Sequence, residues 1–450
     1  MASYVEKLRK RKRPSLLVRY FGEKGVSVED FPVAALQAFQ DQAVRELIAR
    51  AYRKNPFYRE RMRSAGLTPK DVQTARDLAR FPFTTKDDLR QDPWLLLACD
   101  RKEIALIHVS TGTTGGKEIY VPWTWQDYHR NELAPPLTRL VDVGPGDICL
   151  NALPYEMSSA GLAFHKVFME GCGATVVPAG KGGAYSNPEK TVRLMQDLKP
   201  TIAITTPSYA MTLAETAKEL GFDLGLLPLR KMWLTGEGCS FAFRSRVEAL
   251  WKTKANFYYG SLECGALGIE CDAHAGYHIP MAHSYVEIVD PESGQVLEPG
   301  EIGEIVVTNL LRRDTPLIRY RTQDLGYIET EKCRCGVELP RLFLRGRQVD
   351  QIEIGGMSFS PFYIEEFLMR MPEVGNWYHF IVPADGGVLT VRAELAEGVV
   401  PSPELADRLA SELEFHVGVP CRFELVDEIP RPSGKTVRVI HEREGDGGDH

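Results

Sequence analysis

The 450-residue chain has no apolar run approaching the ~20 residues that cross a bilayer. It also lacks the apolar core and small-residue cleavage site of a secretion signal. Nine cysteines scattered over that length are too few for a disulfide framework. No internal repeat is visible. Neither sign of charge dominates, since 54 basic against 61 acidic residues leave a net charge of −7 spread along the chain. The one strongly basic run, "KLRKRKRPS" near the N-terminus, reads as a short exposed arm. These absences predict a cytoplasmic globular protein of two or three domains, with neither nucleic acid nor membrane among its partners.

What is present falls into zones. The first hundred residues carry helical periods, as in "FQDQAVRELIARAYRKNPFYRERMRSAG", with capping signals at "TPKD" and "TTKDDL". From Ile104 to about Leu234, short β-type runs ("IALIHV", "DICLNALP", "ATVVPAG", "TIAITTP", "KMWLTG") alternate with helix-like segments. That alternation predicts an α/β layered domain with a partly parallel sheet. After Asn256 the texture turns β-rich, and a composition break follows "PRLFLRGRQVD". The last hundred residues read strand, helix, paired strands across "ADGG", helix, strand. The expected fold class is therefore α/β: a large multi-sheet domain over 1–346 and a small α+β lid domain over 347–450. The polar tail "EREGDGGDH" is expected to be disordered.

The stretch "HVSTGTTGGKEIYVPW" packs hydroxyls and glycines behind an apolar strand. Glycines let backbone amides approach an anion, and hydroxyls add donors, so it reads as a phosphate cradle. It is not a P-loop. Gly112 and Gly116 enclose only three residues, and Lys117 is followed by Glu118, so the metal-binding hydroxyl is missing. The dinucleotide G-x-G-x-x-G spacing is absent too.

Three further segments join it: "FYYGSLECG" with Glu263, "TPLIRYRTQDLG" with Asp324, and "RPSGKTVRVI" with Lys435. In this order the four resemble the adenylate-forming superfamily of acyl-CoA ligases and adenylation domains. "GLAFHKV", "VRLMQDLKPTIAITTPSYAMTLAE", "TGEG", "ECDAHAGYHIP" and "IEEFLMRMP" narrow the resemblance to the phenylacetate–CoA ligase branch, over roughly Phe39 to Val439. It implies an AMP-forming acid–CoA ligase whose partners are a small carboxylic acid, ATP and coenzyme A. The acid would be a phenylacetate-like aryl acid or a small substituted or hydroxy acid. Relatives in this family are often homodimers.

The resemblance also assigns roles. Ser110, Thr111, Gly112, Thr113, Thr114, Gly115 and Lys117 would wrap the β- and γ-phosphates, although Gly116-Lys117-Glu118 stands where Lys-Pro is usual. Glu263 would bind Mg²⁺. Tyr259, with Gly260 and Ser261 beside it, would stack near the adenine, with Gly236 and Glu237 on its other side. Asp324 would accept the ribose hydroxyls, Arg347 would reach ribose or phosphate, and Arg319 would support the strand. Lys435 would bridge the attacking carboxylate and the α-phosphate, then leave as the C-terminal domain swings. The hinge is expected in "GRQVDQ", where Val349 departs from the family's Asp. The acid pocket is expected around "PYEMSSAGLAFH", with Tyr155, Ser158, Ser159, Ala160 and Gly161, around "PAGKGGAYS", and around "TTPSY" with "TGEG". The two serines suit either a polar substituent or helix capping.

Taken singly, Asp324 suits a plain salt bridge and Lys435 a solvated turn. Cys271, His278, Cys333 and Cys335 suit a closed structural Zn²⁺ site, with His274 competing for the place of His278. The competing functions are acyl loading onto a carrier protein, nucleotide sensing without chemistry, and a small-molecule kinase disfavoured by the failed P-loop.

Overall fold

The computed structural model describes residues 31–110, 117–130, 138–183, 185–431, 434 and 436–442. The basic arm, most of the polar tail, Thr111, Gly112, Thr113, Thr114, Gly115 and Lys435 lie outside the described residues. The chain is a mixed α/β protein with a large multi-stranded sheet. Its contacts form two units. One holds the described residues through Pro178, Asn256–Thr322 and Gly326–Leu344. The other holds Ala179–Ala255, Gln323–Leu325 and the residues from Arg345 onward.

The first unit opens with α1 (Val33–Lys54), which buries Leu36, Phe39, Ala43, Val44, Leu47, Ile48 and Ala51 at helical spacing. Asn55 closes it and caps α2 (Pro56–Ser64), its side chain accepting the Tyr58 amide at 2.9 Å. "TTKDDL" forms the capping box its spacing predicts: Thr85 N donates to Asp88 Oδ2 at 2.8 Å, and Asp88 N to Thr85 Oγ1 at 3.2 Å. β1 (Ile104–Val109) pairs antiparallel with β2 (Tyr120–Thr124) as a separate two-stranded sheet. This corrects the expectation that "IALIHV" belongs with the alternating α/β strands. β3 (Ile148–Asn151) runs through α3 (Ala160–Lys166) to β4 (Thr175–Pro178), and these strands pair in parallel as the alternation predicts.

Within the second unit, α4 (Pro188–Leu198), β5 (Ile202–Thr205), α5 (Pro207–Glu219), β6 (Lys231–Leu234) and α6 (Phe241–Trp251) continue that pattern. β5 and β6 are parallel and buried along their whole length, so both faces are covered and the strands do not alternate.

The chain then returns to the first unit through β7 (Ala255–Ser261), β8 (Gly265–Glu270), β9 (Tyr277–His278), β10 (Ser284–Val289), β11 (Gly303–Asn309), β12 (Tyr320–Glu329) and β13 (Arg341–Arg347). Their order is β10-β11-β12-β13-β9-β8-β7. The remaining elements join the second unit. β14 (Ile352–Ile354) and β15 (Met357–Phe359) form a hairpin, followed by α7 (Pro361–Leu368). β16 (Val374–Val382) and β17 (Leu389–Leu395) pair across "ADGG", and after them come α8 (Pro403–Val417), β18 (Cys421–Val426) and β19 (Val439–His441). Sheet order there is β18-β17-β16-β19. Among the described residues, no helix is long and apolar enough to cross a membrane.

Candidate active site

The described ends of the glycine-rich stretch, Ser110 and Lys117, stand beside an antiparallel strand pair. The β1/β2 register ends at Val109↔Tyr120. Beyond it, Ser110 N donates to Ile119 O at 2.9 Å, and Ile119 N donates back to Ser110 Oγ at 2.8 Å. The Ser110 hydroxyl thus closes the neck of the loop. At the other end, the Lys117 carbonyl accepts Arg90 Nε at 3.2 Å. Val109 N donates to Met157 O at 2.9 Å, bringing the neck against the segment expected to line the acid pocket.

That segment is held by its own backbone. Gly161 N donates to Pro154 O at 2.9 Å, and a Cβ on Gly161 would stand 2.5 Å from the same oxygen and 2.9 Å from the Tyr155 ring. Only glycine fits there. The Tyr155 hydroxyl lies 3.2 Å from His165 Nδ1, and burial pushes its pKa up to about 12. Ser158 Oγ accepts the Ala160 amide at 3.3 Å, while the Ser159 carbonyl accepts Ala163 N at 2.8 Å at the start of α3. Ser158 Oγ thus closes a local turn just before α3, whose N-cap, Ser159, makes no side-chain cap hydrogen bond.

Glu263 sits on the tight β7–β8 turn. A Cβ on Gly260 would meet Gly265 O at 2.3 Å, so the strands approach this closely only with glycine at that position. Ser261 Oγ accepts Cys264 N at 3.1 Å and shapes the turn. Glu263 is 7% exposed, with Oε1 accepting the Tyr320 hydroxyl at 3.1 Å. It borders a small pocket with Leu89, Pro93, Leu96, Tyr120 and Pro122. Tyr259, half-buried on the same turn, has its ring 6.0 Å from that of Tyr277.

Behind Glu263 lies a group without a sequence signal of its own. Arg312 is buried, donating from Nη1 to the Glu263 carbonyl at 2.8 Å and from Nε to Thr315 Oγ1 at 2.8 Å, with its guanidinium 4.4 Å over Trp123. Burial lowers its pKa to about 10 despite the pull of Asp127. Arg319 takes a supporting place: it donates to the Ala79 and Phe81 carbonyls at 2.7 Å each and pairs with buried Glu287 at 3.3 Å.

In the second unit, Gly236 has φ +82°, a conformation that favours glycine, and directs the chain into Glu237. Glu237 Oε1 pairs with Lys181 Nζ at 3.0 Å, both side chains being almost fully buried, and Oε2 accepts Ser208 N at 3.3 Å. Burial raises the pKa of this carboxyl, but Lys181, the Ser208 hydrogen bond and Arg438 outweigh it and hold the group below its ordinary value. Lys181 comes from "PAGKGGAYS", which the sequence marks only as pocket wall. Asp324 and Arg347 belong to this unit as well, 3.9 Å apart.

The four zinc candidates converge. Cys271, His278, Cys333 and Cys335 present ligand atoms all within 4.8 Å of one another. Cys271 Sγ lies 3.7 Å from Cys333 Sγ, and Cys335 Sγ 3.4 Å from His278 Nε2. His274 turns instead to Glu270, at 3.5 Å. Burial lowers the His278 pKa to about 4, so it presents a neutral imidazole, the form that ligates metals. An all-N/S closed set of four is the chemistry of a structural zinc site.

Comparison with known proteins agrees with this geometry. Residues 34–310 match the model of the AMP-binding enzyme family, and 356–443 that of the AMP-binding enzyme C-terminal domain. The chain is 33% identical to phenylacetate-coenzyme A ligase of Thermus thermophilus, over 92% of this chain and 98% of that protein. It is 32% identical to the phenylacetate-coenzyme A ligase of Escherichia coli, over 92% and 96%. Among solved structures, 2-hydroxyisobutyryl-CoA ligase in the postadenylation state, in complex with 2-HIB-AMP, shares the fold at a TM-score of 0.85. Identity there is 22%, covering 97% of this chain and 95% of that one.

Proposed function

The chain belongs to the AMP-binding enzyme family, in its phenylacetate–coenzyme A ligase branch, and we propose that the acid it activates is an arylacetate of the phenylacetate type. It is an ATP-dependent, AMP-forming acid–CoA ligase that works through an acyl-adenylate. Support for an aryl rather than a hydroxy acid comes from the pocket segment. Ser158 Oγ is engaged by the Ala160 amide and the Tyr155 hydroxyl by His165, so two of the polar groups of that wall already have partners. Rejecting an analogue that lacks a hydroxyl requires a polar group kept for that hydroxyl. With those two engaged, and with phenylacetate-coenzyme A ligases among its relatives, an aryl acid is the reading we favour.

The acid is ionised at neutral pH, so its attack on the α-phosphate needs no general base. The difficulty is bringing a carboxylate against a triphosphate, and cations with oriented N–H groups offset that repulsion. The loop beginning at Ser110 and ending at Lys117 holds the β- and γ-phosphates. Buried Glu263 suits a hard cation; Mg²⁺, when bound, adds positive charge beside the α-phosphate. Tyr259 and Gly236 flank the adenine, Asp324 accepts from the ribose, and Arg347 supports it. Lys435 neutralises both the attacking carboxylate and the α-phosphate, forming part of a C-terminal domain that begins at Arg347 and moves before coenzyme A attacks. Cys271, His278, Cys333 and Cys335 hold a structural Zn²⁺. None of the nine cysteines is in a disulfide, which fits a reducing cytoplasm.

The test is a carboxylic-acid panel assayed for ATP-dependent AMP release, with coenzyme A or with a phosphopantetheinyl carrier protein. Phenylacetate and close aryl analogues with free coenzyme A are expected to give the highest kcat/KM. Preference for a small hydroxy acid overturns the substrate reading, and preference for the carrier protein overturns the acceptor.

A further inference from the structure

Lys181 and Glu237 form an almost fully buried ion pair, and each also reaches a backbone group next to position 435. Lys181 Nζ donates to Gly434 O at 2.9 Å, and Thr436 N donates to Glu237 Oε1 at 3.4 Å. One pair therefore grips the chain on both sides of Lys435, from residues 253 and 199 positions away in sequence. The grip is itself well anchored. Gly180 and Gly182, with φ +74° and +67°, bend the chain around Lys181, and Gly236 at +82° turns it into Glu237. Ser208, in the first turn of α5, supplies its amide to the second carboxylate oxygen.

An ammonium carries three N–H groups, so Lys181 can bind the Glu237 carboxylate and still donate to a carbonyl. Both grips on the 434–436 segment are hydrogen bonds that water can replace once the segment departs. The contact therefore holds one arrangement and can release it.

We propose that Lys181 and Glu237 are positioning residues for Lys435, gripping the peptide groups that flank it so that its ammonium is delivered during acyl-adenylate formation. This rests on Lys435 being the adenylation lysine. It replaces the expectation that Glu237 serves mainly to line the adenine.

The experiment uses the full-length enzyme and the variants Lys435→Ala, Lys181→Met, Lys181→Arg and Glu237→Gln. Acid-dependent pyrophosphate–ATP exchange is measured alongside coenzyme A consumption from supplied acyl-adenylate. Misplacing a catalytic group by about 1 Å costs on the order of 100-fold, so Lys181→Met is expected to lower kcat for exchange by about 10- to 100-fold. Its KM for ATP should stay within about 2-fold, and its thioester formation from adenylate likewise. Glu237→Gln should show the same split more weakly, and Lys181→Arg should recover part of the lost rate.

Equal loss of both half-reactions would make the pair merely structural, and a raised KM for ATP at unchanged kcat would give it to the nucleotide. Either result overturns the proposal, as does no loss at all. Lys435→Ala decides the underlying reading separately: it should nearly abolish exchange and spare thioesterification, and intact exchange would mean that Lys435 itself was misassigned.

Discussion

Asp127 is fully buried, its Oδ2 accepting the Asp314 amide at 2.6 Å. The Asp314 carboxylate, close by, pairs with Arg50 and accepts Thr124 Oγ1 at 3.0 Å. Burial, reinforced by the Asp314 charge, raises the Asp127 pKa from 3.8 to about 6. A carboxyl with a raised folded pKa binds its proton more tightly in the native state. Its contribution to stability is complete below about pH 4 and is lost as pH rises through about 6. Asp127→Asn removes that dependence, so the variant should gain on the wild type between pH 4 and 7 by up to about 3 kcal/mol. Urea midpoints at the two pH values measure the difference, and parallel profiles would contradict it. His108 and His283, lowered by burial to about 4, act with the opposite sign: their stabilisation is present above about 6.5 and is lost on acidification. Comparing variant with wild type cancels their effect. Nothing in "TWQDYH" marks Asp127, because both its burial and the charged partner 187 residues away that reinforces it come from tertiary packing.

At the scale of elements, the cysteine–histidine cluster stands where strands are short. β9 has two residues, and His278 pairs with Ile269 of β8 on one side and Arg341 of β13 on the other. Cys271 follows β8, and Cys333 and Cys335 lie in the loop before β13. A bound ion would thus staple three strands that the ladder alone secures weakly. Protein purified without chelator should contain about one zinc per chain, the count a four-ligand structural site holds. Cys335→Ser should lose the zinc and lower the melting temperature, by an amount readable in a thermal scan beside elemental analysis. Metal-free protein that melts with the wild type would remove the assignment. The elements themselves differ in legibility. α8 could be read locally: Ser402 caps it through Leu405 N, Pro403 opens it, and Gly418 ends it at φ +80°. The pairing of β1 could not, since the same apolar run suits a hairpin as well as a parallel sheet.

Across the whole molecule, the residues from Arg345 onward share one unit with Ala179–Ala255, and the contacts joining them are strongly polar. Arg246 of α6 donates to the carbonyls of Met369, Met371, Val374 and Gly375 at 2.8 to 2.9 Å. The amides of Ser240 and Ala242, at the start of α6, donate to Glu365 and Glu366 of α7. Trp377 Nε1 donates to Glu215 at 2.8 Å. An interface of this kind is specific yet separable, because water can satisfy the same groups once they part. Arg246→Met strips four part-buried carbonyls of their donor at about 1 kcal/mol each. It should speed proteolytic cleavage around Arg345–Ser360 by tenfold or more on the order-of-magnitude scale of that loss. Cleavage at the wild-type rate would show that other contacts hold the C-terminal segment.

The sequence by itself determined what near neighbours control. Helix ends, strand runs and the close glycine turns at Gly161 and Gly260 all depend on residues a few positions apart. Tertiary structure alone decided which distant groups meet: Arg312 behind Glu263, Asp314 beside Asp127, and Lys181 with Glu237 around position 435. The reason is electrostatic. The energy of a buried charge depends on the partner that packing brings to it, and no local pattern records that partner.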